Sequence, residues 1–123
     1  MSAVTVSLGL SFTKGVLGDT FNGAATATMS VAGYKVQAPT FGTAVSSIST
    51  ATIDTLGYAF LQSLVTTTQT TCTITVGRLD GTNFFGAVRL RPGEPSVLRL
   101  APGNYAAQAA AEGYRLLIAT LED

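Results

Sequence analysis

The 123-residue chain contains no histidine, no tryptophan and a single cysteine, and only 11% of its residues are charged. Each shortage excludes something. Without histidine it lacks the commonest general base and the commonest metal ligand. A zinc site would have to be built from Cys72 and carboxylates, against the usual ligand sets. One cysteine rules out an intramolecular disulfide, so the fold is expected to be held by packing, with Cys72 as a small strand hydrophobe. Seven basic and seven acidic side chains cancel, leaving no basic footprint for DNA or RNA. No apolar run approaches the ~18 residues of a membrane span. Residues 1–6 alternate apolar and polar with no basic segment, unlike a signal peptide, and no Asn-x-Ser/Thr acceptor occurs. Neither nucleic acid nor membrane is expected as a partner, and synthesis is expected in the cytoplasm of the producing cell.

What replaces charge is neutral. Nineteen threonines, nine serines and thirteen glycines make up a third of the chain. Such a surface carries little charge repulsion to keep copies apart, which points to assembly. The few charges are also unevenly placed. Residues 1–77 hold Lys14, Asp19, Lys35 and Asp54, and residues 78–123 hold the other ten. Neither half is long enough to bury a robust core alone, so one domain over residues 1–123 is expected.

Period two dominates. Val4, Val6, Leu8, Leu10 and Phe12 alternate with Thr5, Ser7, Gly9 and Ser11, the pattern of a strand with one apolar face. The pattern repeats over residues 25–31, and a shorter strand is expected around Tyr34 and Val36. Ile48–Thr52 suggests another, and Gly57 is expected to break the chain before a strand at 58–64. A helix at 56–64 is disfavoured by Gly57 and its β-branched neighbours. Strands are further expected at 72–78, 84–90, 96–100, 105–109 and 114–121. Asp80-Gly81 reads as a tight turn, and Pro92-Gly93 and Pro102-Gly103 read as type II turns. The sum is an all-β domain, a single antiparallel β-sandwich or barrel of about nine strands with no helix.

Little here points to chemistry. The carboxylates Asp19, Asp54, Asp80, Glu94, Glu112, Glu122 and Asp123 are scattered, mostly in expected turns or at the terminus. No histidine is present to activate any of the many hydroxyls. No catalytic, cofactor or metal site is assigned, and the chain is not expected to be an enzyme. The densest cationic feature is a set of arginines. Arg89 and Arg91 are spaced to share a strand face, and Arg99 would oppose them across a hairpin at Pro92-Gly93. These three residues are either a partner interface, since guanidinium suits interface ion pairs, or a solvated face paired with Glu94 and Glu112. The uncharged tract Thr66–Thr73 reads as a loop running into a strand edge that invites pairing. An ice-binding face would need a regular threonine repeat, and none is visible. Glycan binding would have to rest on the tyrosines and phenylalanines, tryptophan being absent.

The C-terminal segments Thr55-Leu56-Gly57-Tyr58-Ala59-Phe60-Leu61, Asp80-Gly81-Thr82-Asn83-Phe84, Val88-Arg89-Leu90-Arg91-Pro92-Gly93-Glu94 and Val97-Leu98-Arg99-Leu100-Ala101-Pro102-Gly103, with the closing Leu121-Glu122-Asp123, carry a resemblance. Together, over about residues 53–123, they resemble small β-sandwich virion proteins of tailed bacteriophages. The resemblance implies a non-enzymatic structural part of the particle, above all a capsid decoration or stabilising subunit binding the major capsid protein. A head–tail joint or tail component is the alternative, and a glycan-binding β-sandwich module is the alternative from another class. The implied partners are other virion subunits and further copies of the chain, and the implied location is the virion. The charge-poor N-terminal strands are expected to meet other subunits.

Overall fold

The computed structural model describes residues 2–29, 33–50, 53 and 55–122. Among them the fold is entirely antiparallel β. Eleven strands follow one another: β1 (Ser2–Lys14), β2 (Leu17–Met29), β3 (Tyr34–Gln37), β4 (Thr40–Phe41), β5 (Ser46–Ser47), β6 (Leu56–Ser63), β7 (Ile74–Asp80), β8 (Asn83–Leu90), β9 (Pro95–Arg99), β10 (Asn104–Ala109) and β11 (Tyr114–Glu122). They form three sheets, not one sandwich of about nine strands, and none closes into a barrel. One sheet is the hairpin β1–β2, another runs β5-β10-β7-β8, and the third runs β3-β11-β6-β9 with β4 also paired to β11.

The last two sheets share one core, and the alternation in their strands explains why. Along β6 every second residue is buried, giving Ala59, Leu61 and Ser63, and along β11 the same holds for Leu116, Ile118 and Thr120. From the other sheet come Ile74 and Val76 of β7, Leu90 of β8, and Tyr105, Ala107 and Ala109 of β10. The Tyr105 hydroxyl donates to the Ala101 carbonyl at 2.6 Å, so its ring enters the core without stranding a polar atom. Gly57 does not break β6 as expected. It lies buried within the strand, and its carbonyl accepts from Leu100 N–H, prolonging the β6–β9 ladder.

Turn chemistry accounts for most connections. Gly15 and Gly81 (φ 62° and 61°) each sit first in a two-residue loop, the position type II′ hairpins reserve for glycine. Gly93 (φ 78°) follows Pro92 in a type II turn closed by Glu94 N–H to Arg91 O. The expected twin at Pro102-Gly103 differs. Gly103 has φ 146° rather than about 80°, and a Cβ there would strike the Arg78 guanidinium. Within β7–β8 a register shift places Gly77 opposite Gly86, and a Cβ at Gly77 would strike the Phe85 carbonyl oxygen.

Two expected strands come out differently. The strand expected at 48–52 is replaced by the short β5 at Ser46–Ser47, followed by one further bond from Ile48 N–H to Tyr105 O, and positions 51 and 52 lie outside the described residues. The strand expected to reach Val31 is observed to Met29, with 30–32 likewise outside the described residues. Leu116 is 0% exposed at the centre of the shared core. Leu116→Ala is expected to cost about 2–5 kcal/mol, measured as a lower urea midpoint at unchanged m-value.

Candidate assembly surfaces

The three arginines singled out from the sequence do not converge. Arg89 is exposed on β8, opposite Thr75 of β7. Arg91 is exposed one residue beyond that strand, and buried Leu90 between the two leaves both on the outside. Arg99 ends β9, which belongs to the other sheet. The Pro92-Gly93 turn therefore carries the chain from one sheet to the other instead of closing a hairpin, and Arg99 does not oppose Arg89 and Arg91. The local chemistry of a Pro-Gly turn is the same in both settings; what separates them is that Leu90 and Leu98 enter the core from opposite sheets.

Carboxylates expected to face these arginines are held by backbone donors. Glu94 Oε1 accepts from Arg91 N–H at 2.9 Å across the turn. Glu112 Oε1 accepts from both the backbone N–H and the hydroxyl of Thr43, each at 3.0 Å, tying the β10–β11 turn to the loop after β4. Those two bonds, the backbone one first, hold the Glu112 carboxyl below its ordinary value. Arg99 instead lies over the ring of Tyr58, its cross-strand neighbour, 4.7 Å from the centroid. Among the described residues no three Cys, Asp or Glu side chains come together in a metal-binding group.

The tyrosines do not gather into a platform. Only Tyr34 of the four is largely exposed: Tyr58 lies under Arg99, Tyr105 is buried, and Tyr114 meets the Cys72 thiol, a contact that raises its hydroxyl pKa. Cys72 itself is buried, as a packed hydrophobe would be. The threonine tract is a loop and not an open strand edge, since residues 64–73 form no ladder and are shaped by bonds such as Cys72 N–H to Gln69 O. Between the two sheets lies a cavity of about 50 Å³ lined by apolar groups of Leu61, Val76, Leu98 and Ile118, far below the ~300 Å³ of a small-ligand site.

The largest departure from a compact body is β1–β2. All thirteen residue pairs from Ser2↔Met29 to Lys14↔Leu17 keep one register without a bulge. One face of this ribbon carries Val4, Val6, Leu8 and Leu10 with Phe21 and Ala25, and the other carries Thr5, Ser7, Ser11, Asn22 and Thr26. The Ser11 and Thr20 hydroxyls bond across the polar face at 3.2 Å. On the apolar face Leu8, Leu10 and Phe21 are 51%, 61% and 56% exposed. The alternation at 4–12 and 25–31 was readable from the sequence; the continuation through 17–24 was not, because Gly18, Asn22 and Gly23 interrupt it. Gly15, first in a two-residue loop, was the available signal.

Set against protein-family models, curated proteins and solved structures, the chain finds no match in any of the three.

Two outcomes follow from these contacts. A double-mutant cycle of Arg99→Ala with Tyr58→Leu, read by chemical denaturation, is expected to give a coupling of about 0.5–1 kcal/mol. For Glu112 the folded state holds the proton less tightly than the unfolded chain. Its stabilising effect is thus complete above the unfolded-state value near 4.5 and lost as pH falls through the lower folded-state value. An NMR titration of the Thr43 amide should show a midpoint below 4.5, and Glu112→Gln should remove that transition.

Proposed function

We propose that this chain is a non-enzymatic structural protein of a tailed-bacteriophage virion, foremost a decoration or stabilising subunit of the capsid surface bound to the major capsid protein. The observation that carries this reading is the exposed apolar face of the β1–β2 arm. Monomeric soluble proteins rarely leave contiguous apolar surface uncovered unless something docks there. The resemblance of residues 53–123 to phage virion proteins supplies the class of partner, and the near absence of charge from residues 1–77 agrees with contact between subunits. The arginines Arg89 and Arg91 are available on the body for ion pairs at such a contact. A head–tail joint or tail component would have the same chemistry and a different copy number. The glycan-binding alternative has no support in the placement of the tyrosines.

Quantitative mass spectrometry of purified particles of the encoding virus tests this. The expected result is presence in mature virions at hundreds of copies. Six or twelve copies would move the chain to the tail axis, and presence only in infected lysate would end the virion reading.

A further inference from the structure

We infer that the β1–β2 arm is a self-association device: it lays its apolar face on the outer face of the β3-β11-β6 sheet of a second copy of this chain, and receives that copy's arm in return.

The receiving surface is already used within the chain. Alternation puts Tyr58 and Phe60 of β6 and Ala119 and Leu121 of β11 on the side of their sheet facing away from the core. The base of the arm, at Val4 and Val6, lies against these four residues and Val97 along a groove of about 320 Å³. Val4 and Val6 are accordingly half-buried, whereas Leu8, Leu10 and Phe21 continue the same face and are exposed. The surface likewise continues past its covered part. On the adjoining β3, Val36 and Tyr34 pair with Ala119 and Leu121 and are 58% and 70% exposed. Each copy thus has an uncovered length of arm and an uncovered stretch of the kind of surface that the arm fits.

Area favours a second copy over a foreign one-way acceptor. Thirteen residues per strand make a two-stranded ribbon roughly 44 Å by 10 Å. Its uncovered length, the seven pairs from Leu8↔Gly23 to Lys14↔Leu17, offers roughly 240 Å² on one face, well short of the ~800 Å² that each partner buries in a stable interface. Two exchanged arms double the area, because every copy both gives and receives, and so come closer to that figure. The chain also has the area to lose. It exposes 7576 Å², whereas a compact monomer of 12.6 kDa exposes roughly 6,200 Å². Charge does not oppose the contact, since the only charged residues within 2–29 are Lys14 and Asp19, both near the turn of the hairpin. The edges of β1 and β2 carry no proline and no bulge, the devices that usually keep strands from a neighbour.

Sedimentation of the purified chain, free of any particle, tests the inference. The unmodified chain is expected to be a dimer or larger closed oligomer at micromolar concentration. Leu8→Asn with Leu10→Asn disables the arm, and Tyr34→Asn with Val36→Asn disables the receiving face. Each pair is expected to weaken association at least tenfold, with far-ultraviolet circular dichroism of the body retained. Mixing the two variants is expected to give a heterodimer that is weaker than the unmodified dimer but tighter than either variant with itself, since one intact arm then meets one intact face. Hydrogen exchange on the unmodified chain adds a readout free of substitutions, in which arm protection should rise with protein concentration. A monomeric unmodified chain with concentration-independent exchange, or an oligomer indifferent to both variants, overturns the inference. So does a chain that is monomeric alone and gains arm protection only on capsids, although the virion reading would then stand. A reciprocal dimer from a chain absent from virions would do the reverse.

Discussion

The body of this protein depends on β11. It lies between β6 on one side and β3 and β4 on the other, so three ladders are built on one nine-residue strand. Its inward residues Leu116, Ile118 and Thr120 are nearly or fully inaccessible. Because side chains alternate with a period of two, a slip of one residue in this strand would carry that set to the outer face. Two side contacts pin the register where β11 begins: Leu116 N–H donates to Pro39 O, and Leu64 N–H donates to Arg115 O. The Glu112 carboxylate, on the turn leading into the strand, adds a third anchor through Thr43.

Period two was the part of the fold written most openly in the sequence. The strands at 34–37, 83–90, 95–99, 104–109 and 114–122 fall within two residues of where alternation and turn residues put them. Partnership was much less legible. Asp80-Gly81 and Pro92-Gly93 are both strong turn signals, yet the first closes a hairpin and the second crosses between sheets. The difference lies in which side of the core each flanking strand occupies, a tertiary fact with no local trace. Gly57 shows the converse. A glycine inside a strand reads as a break, but here the backbone continues because β9 extends the ladder to it.

Charge distribution takes on a physical shape in the structure. The poverty of residues 1–77 is shared by the arm, which holds Lys14 and Asp19, and by residues 30–77, which hold Lys35 and Asp54. The arm's polar face is solvated by hydroxyls and amides, and its apolar face carries no charge between Val4 and Leu10. The richer C-terminal region uses part of its charge internally. Glu94 and Glu112 each satisfy backbone donors in a turn, and Arg99 rests on an aromatic ring. Counting charges along the chain therefore overstates how many face outward from the body. Arg89 and Arg91 survive as outward cations, and the grouping with Arg99 does not.

The hairpin also has a consequence in time. Its contacts close over a span of at most 27 residues, from Ser2 to Met29 around one two-residue turn. The body instead awaits β11, whose partner β3 lies some eighty positions earlier. Hairpins close in roughly 1–10 μs, while sheets dominated by distant pairings take milliseconds to seconds. During synthesis the ribbon is complete long before the surface under Val4 and Val6 exists. Its neutral, threonine-rich far side keeps the nascent chain hydrated in that interval, while the near side waits for a sheet completed by residues made much later.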